Sequence, residues 1–419
     1  MKKLFMASFA AMILVLDTLS TAVPGTAAAA PPGAAGHILV KFRAGGAAVG
    51  VLRQHALSEG PDVGSTGAHL IAVPAGTEQQ VIDALSRDPA FDYAEPDQPV
   101  TAYTTDQYFP RQYALQNDGQ AFTNTKGDIQ VAAGKPDADV DAVEAWSVTT
   151  GAGIKVAVLD SGVDGNHEDI SSKVVARANF STSATKKGDV VAEDYYGHGT
   201  HMAGTVAATA NNTRGVAGIC SGCTILAGKV LNDSGVGSSS SLANGINWAV
   251  SNGAKVINMS LGVPASRTLE TAVNNAWSKG VVLVAAAGNG GNQTKIYPGG
   301  YPNVIAVAAT DNNDVKASFS TYGASWVDIA APGVNVYSTF PNHPFALAAQ
   351  NNRSQNYDVG NGTSVSSAIV AATAALAWST NPGASSSAIR TRVESTADKI
   401  DGTGTFWANG RVNAYNAVK

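Results

Sequence analysis

The sequence predicts an α/β fold built on a mostly parallel sheet, with a small α+β module ahead of it. Two observations carry this. Five apolar, mostly β-branched runs alternate with helical stretches after residue 150, as strands buried on both faces of a parallel sheet do. The first hundred residues follow a different pattern, with short strands flanking amphipathic segments. A chain of 419 residues holds one large domain and a smaller one. Its 44 glycines and 14% charged residues suit a compact enzyme with many tight turns rather than a disordered chain. The net charge of -5 argues against nucleic acid as a partner.

The elements follow in chain order. Lys2 and Lys3 precede an apolar run from Leu4 to Leu16, ended by Asp17, and small residues follow to Ala30. Residues 1–30 therefore read as an export signal, too short for the roughly 20 apolar residues that span a bilayer. A secreted, extracellular chain without stable membrane association is expected. Strands are predicted over His37 to Arg43 and Ala68 to Ala75, with helical spacing over Ala47 to Leu57. Glu78 to Asp88 reads as an amphipathic helix with Thr77 as N-cap, and Phe91 to Val100 as an extended piece. The large domain places strands at Ile154 to Asp160, Thr224 to Leu231, Ala254 to Leu261, Val281 to Gly288 and Val304 to Thr310. Helices are predicted over Ser238 to Ser251 and Thr268 to Lys279, with Gly253 and Gly280 as C-caps. The two cysteines, Cys220 and Cys223, are expected to form a local disulfide in an exported chain. A zinc half-site would need a second pair that the chain lacks, and a thioredoxin-like motif would need to open a helix.

Active sites in such folds gather at the carboxyl ends of the strands. Asp160 ends a predicted strand in Val-Leu-Asp-Ser-Gly, His198 opens a small-residue helix in Gly-His-Gly-Thr-His, and Ser364 opens an apolar helix in Asn-Gly-Thr-Ser. A serine hydroxyl needs a base to take its proton, and the base needs a carboxylate to fix its tautomer. Each residue alone reads more readily as a cap, a structural histidine or a turn serine. Together, Asp, His and Ser form the set that an activated serine nucleophile requires, and their chain order is one of the three known for such triads.

With these motifs, and with Ser318 to Gly323, Ala331 to Gly333 and Thr396 to Tyr415, the chain resembles the subtilase family from Asp106 to Val418. The resemblance implies a three-layer fold with a seven-stranded, mostly parallel sheet over 102–419 and serine endopeptidase activity of broad specificity. It implies that 31–101 is an inhibitory propeptide of ferredoxin-like shape, so that protein substrates and the chain's own propeptide are the expected partners of a monomer. Asn289 matches the oxyanion donor. Ser260, Leu261 and Gly262 with Ala286, Ala287 and Gly288 match the walls of the pocket for the residue before the scissile bond. Gly235 and Gly237, flanking Val236, match an edge that pairs with substrate. Asp106, Asp169 and Asn212 match side-chain ligands of a structural calcium site, and Thr209, Arg214 and Val216 match its carbonyl ligands. Ile296 falls at the base of the specificity pocket, which should make it apolar and shallow. Val365 stands where a methionine is usual. Ala368 replaces a proline, a change expected to loosen the helix that carries Ser364, and Ile369 follows it. The competing reading is a catalytically silent secreted subtilase that binds other proteins.

Overall fold

The computed structural model describes residues 36–43, 52–58, 60–74, 76–97, 104–181 and 192–419. The export signal, the first part of the stretch 47–57 and residues 98–103 lie outside them. The chain divides into two compact units, residues 1–100 and 101–419, each taken by itself below.

In the first unit, His37–Phe42 is the central strand of an antiparallel sheet, flanked by Ala68–Ala72 and Phe91–Pro96. Ile38 and Val40 point to one face and are buried with Ile71, Phe91 and the helix residues Ile82 and Leu85. This period-two pattern is what fixes the register. The helix runs Glu78–Leu85, and Thr77 does not cap it. The Thr77 hydroxyl instead donates to the Pro74 carbonyl at 2.7 Å, while Glu78 Oε1 accepts from the Gly36 N–H at 2.7 Å. Asp88 lies beyond the helix because its carboxylate is engaged by His55 and by the Ala90 N–H.

The second unit is built on a seven-stranded sheet. Its order is Ile329–Pro332, Ile305–Thr310, Val282–Ala286, Val256–Met259, Lys155–Asp160, Thr224–Lys229, Val174–Asn179, with every neighbouring pair parallel. Every residue of the three strands Val256–Met259, Val282–Ala286 and Ile305–Thr310 is buried. Helices Ser239–Ser251 and Arg267–Ser278 cover one face, burying Leu242, Ile246, Leu269 and Val273. Their N-caps are Ser238 and Ser266, whose side chains accept from the N–H three residues on. Gly253 and Gly280 each adopt φ +81 behind them, the left-handed conformation a C-capping glycine supplies.

The other face carries helices His198–Ala207 and Thr363–Thr380. Every residue from Thr363 to Trp378 is buried, which matches a sequence apolar on all sides. Ala368 is fully buried within this unbroken helix. The expected loosening is therefore not seen in the backbone, because packing on all sides holds the helix without a proline.

Candidate active site

Asp160 is the last residue of a central strand, and its carboxylate is fully buried. His198 is the first residue of its helix, and its Nδ1 lies 2.8 and 2.9 Å from the two Asp160 oxygens. An ionised carboxylate only accepts, so Nδ1 carries the proton and Nε2 presents its lone pair. Burial disfavours the imidazolium, but the Asp160 charge and hydrogen bond outweigh it and raise the His198 pKa above the ordinary value. His201, the other histidine of the motif, is 1% exposed, and burial pushes its pKa down to about 3. It packs on Phe340 with ring centroids 4.8 Å apart, as a neutral structural residue.

Ser364 is the second residue of the Thr363–Thr380 helix and shares a cleft with His198 and Asn289. Its Oγ donates to the Ser260 carbonyl at 3.3 Å rather than to His198. Catalytic hydrogen bonds often tighten only when substrate arrives. Asn289 is oriented by Thr363, whose N–H and hydroxyl both donate to Asn289 Oδ1, at 2.9 and 3.0 Å. With its oxygen held, the amide turns Nδ2 outward. A Cβ placed on Gly362 would sit 3.2 Å from that nitrogen and 3.6 Å from the Ser364 N. The Asn289 amide nitrogen and the Ser364 N thus lie on the same side of Gly362.

Three supporting residues were not anticipated from the sequence. Thr363 is one. Asp194, fully buried, accepts from the Ser161 hydroxyl and the Gly197 and Thr200 N–H groups, at 2.7 to 2.8 Å, and so fixes the start of the His198 helix. Ser367 hydrogen-bonds Ser260 Oγ at 2.8 Å and the Ser364 carbonyl at 2.9 Å. The signal available for all three was small polar residues next to the motifs, a pattern common in ordinary turns.

Gly235 to Gly237 and Ser260 to Gly262 line opposite sides of a second cleft of about 430 Å3, which meets the first at Tyr196 and His198. Val236 is 62% exposed there, while its own N–H and carbonyl are paired with Asn232. Ala286 and Ala287 are buried, with Gly288 beyond them. Ile296 wedges between the two glycine positions. A Cβ on Gly262 would meet Ile296 Cδ1 at 2.1 Å, and one on Gly288 would meet its Cγ2 at 3.1 Å.

The six residues matched to a calcium site also come together. Asp106 accepts from the Asn211 and Asn212 N–H groups, both at 2.9 Å, and Asp169 accepts from Asn212 Nδ2 at 2.6 Å and the Val216 N–H at 2.9 Å. Burial raises the Asp169 pKa, opposed by the Asn212 and Val216 hydrogen bonds. Asp106 and Asp169 are 3% and 0% exposed, and neither forms an ion pair with a described residue. The carbonyls of Thr209, Arg214 and Val216 accept no hydrogen bond from any described residue. Buried carboxylates without a cation, beside idle carbonyls, fit a hard divalent cation. A separate group, Asp164, Glu193 and His343, also brings three possible ligand atoms within 4.8 Å of one another. Arg177 lies 3.5 Å from Glu193 there, so that group is an ion-pair network.

Cys220 and Cys223 form the expected disulfide, fully buried behind Gly151.

The chain belongs to the subtilase family, whose family model matches residues 151–412, and it is a serine protease with an N-terminal prodomain. A model of the fervidolysin N-terminal prodomain matches residues 23–97. Among its relatives is thermitase from Thermoactinomyces vulgaris, 48% identical over 281 residues, which are 67% of this chain and 94% of thermitase. Another is a thermophilic serine proteinase from Bacillus sp. (strain AK1), 40% identical over 363 residues, 85% of this chain and 80% of that one. A solved protease structure from Pseudoalteromonas arctica superposes with a TM-score of 0.64 at 29% identity, covering 76% of this chain and 99% of that one.

Proposed function

We propose that this protease is a secreted endopeptidase of broad specificity, working through Asp160, His198 and Ser364. The observation that carries the reading is the His198–Asp160 contact at 2.8 Å, in a cleft shared with the helix-borne Ser364 and the Asn289 amide. His198 Nε2 takes the Ser364 proton as Oγ attacks the peptide carbonyl. The oxyanion is held by Asn289 Nδ2 and the Ser364 N–H. The imidazolium then gives its proton to the leaving amine, and water repeats the sequence to release the acyl group.

Residues 1–30 are proposed to direct export and 31–101 to be an inhibitory propeptide, leaving 102–419 as the mature, monomeric enzyme; the prodomain match over 23–97 supports the propeptide. Removal is proposed to be the work of the enzyme itself. Ser364→Ala, expressed in a host without other proteases, is expected to accumulate at full precursor length on a gel while the unaltered chain matures. Normal maturation of the variant would refute self-processing and favour the silent reading.

Calcium is proposed to bind Asp106, Asp169, Asn212 and the carbonyls of Thr209, Arg214 and Val216. The cation would neutralise two buried carboxylates and tie the N-terminal segment of the mature unit to the 209–216 loop. A ligand bound only by the folded state adds about 2.7 kcal/mol at one hundred times its Kd. At two to four degrees per kcal/mol, a chelator should lower the melting temperature by roughly 5–10 °C. Asp169→Asn should remove that dependence, and melting curves unchanged by excess chelator would count against the site.

Ile296 between Gly262 and Gly288 favours small apolar residues before the scissile bond. Ile296→Gly should deepen the pocket and raise kcat/KM for a Phe-containing over an Ala-containing peptide by at least about tenfold, given ~2–3 kcal/mol for burying such a ring. An unchanged Phe/Ala ratio would place the pocket elsewhere.

A further inference from the structure

The cleft that holds Ser364, His198 and Asn289 is walled on one side by the segment 341–356, which the catalytic reading leaves without a role. This segment is firmly built. Phe345 stacks on Phe340 with ring centroids 5.2 Å apart and covers the Cα of Gly197, directly before His198. The Ala346 and Leu347 N–H groups donate to the Tyr195 and Tyr196 carbonyls at 2.9 and 3.1 Å. Asn352 bridges Lys126 and Asp128, and the Ser354 N–H donates to Asp358 at 2.7 Å. Arg353 is therefore pinned on both sides.

Arg353 lines this cleft, half-buried. Its guanidinium makes no hydrogen bond or ion pair with a described residue. No aspartate or glutamate lines the cleft, and Arg353 is the only permanently charged side chain among the described residues that do. A guanidinium that no described residue engages, on a segment held on both sides in a half-buried cleft, suits a carboxylate.

We propose that Arg353 is a specificity-determining residue that binds a carboxylate on the leaving-group side of the substrate, within the first residues after the scissile bond. The assignment of side rests on the proposed function. If the acyl half of the substrate pairs with Gly235 to Gly237, the amine half must leave through the cleft of Arg353, since the two clefts meet at His198. The carboxylate belongs to an Asp or Glu side chain, or to a free C-terminus.

The test uses the mature enzyme and quenched fluorescent peptides with one constant acyl half. Glu, Gln or Lys occupies each of three positions after the cleaved bond, with the C-terminus free or amidated. At one position Glu should exceed Gln in kcat/KM by about fivefold, with Lys poorest, and high salt should shrink the ratio. Arg353→Gln should abolish the Glu/Gln ratio yet leave the Gln peptide within about twofold, and Arg353→Lys should keep part of it. A preference that follows the free C-terminus instead of the side chain supports the proposal and names its source. A Glu/Gln ratio near one at all positions with either terminus, or a ratio that survives in Arg353→Gln, overturns it. An acid preference sensitive to Arg353 but confined to positions before the cleaved bond also overturns it, by showing that the acyl half was assigned to the wrong cleft.

Discussion

Asp160→Asn is expected to lower kcat by about four orders of magnitude in a chain that still folds. The Asp160 oxygens accept from His198 Nδ1 at 2.8 and 2.9 Å. An asparagine amide at that place would present an N–H to Nδ1, driving the ring proton to Nε2, where the base must be vacant. The loss is of tautomer and charge rather than packing, because the side chains have the same shape. A second readout separates this from general damage. His198 works only when neutral, so activity falls as pH drops through its pKa. Burial lowers that pKa, and Asp160 reverses the effect and raises it. Without the carboxylate charge, the acid limb of the residual activity should move to lower pH. A variant with a native circular dichroism spectrum and more than a tenth of normal kcat would disprove the assignment of Asp160.

Asn289→Ala should cost about 10²–10³ in kcat, or ~2.7–4 kcal/mol, with little change in KM; that size is known from a subtilisin and is not calculated from this chain. The reason for a kcat effect is that Nδ2 meets negative charge only once the carbonyl has been attacked. Thr363 holds the amide oxygen through both its N–H and its hydroxyl. Thr363→Val should therefore reproduce part of the Asn289→Ala loss, since the amide would lose one of the two bonds that turn Nδ2 outward. A raised KM with kcat unchanged for Asn289→Ala would show that it binds the ground state instead.

The central part of the fold was readable because its physics is simple. Strands such as Val256–Met259 and Ile305–Thr310 are buried on both faces and appear as unbroken apolar runs. The two outer strands were missed for separate reasons, the first being only partly buried and the second, though buried throughout, only four residues long. Val174–Asn179 contains no fully buried residue, and Ile329–Pro332 ends in a proline that has no N–H to give a further neighbour. In the site, Asp160, His198 and Ser364 stood out because the motif residues lie at strand and helix ends, where a sheet edge collects them. Asp194 and Ser367 did not, because their work is to bind backbone groups brought close only by folding. Arg353 was hidden in an Asn-rich stretch that carries no periodicity, and its setting depends on Phe345 and Asn352 docking on distant segments.

Ser364 rides on a helix in which every residue from Thr363 to Trp378 is buried. Such a segment opens only when the whole unit does. A population of this protease losing activity on heating should thus contain two kinds of molecule: fully competent ones, and unravelled ones that the competent ones digest. Half-working forms would not accumulate, and the turnover per surviving molecule should stay constant while their number falls. The lifetime of a preparation is then governed by how often a whole molecule unravels, rather than by gradual wear at the site.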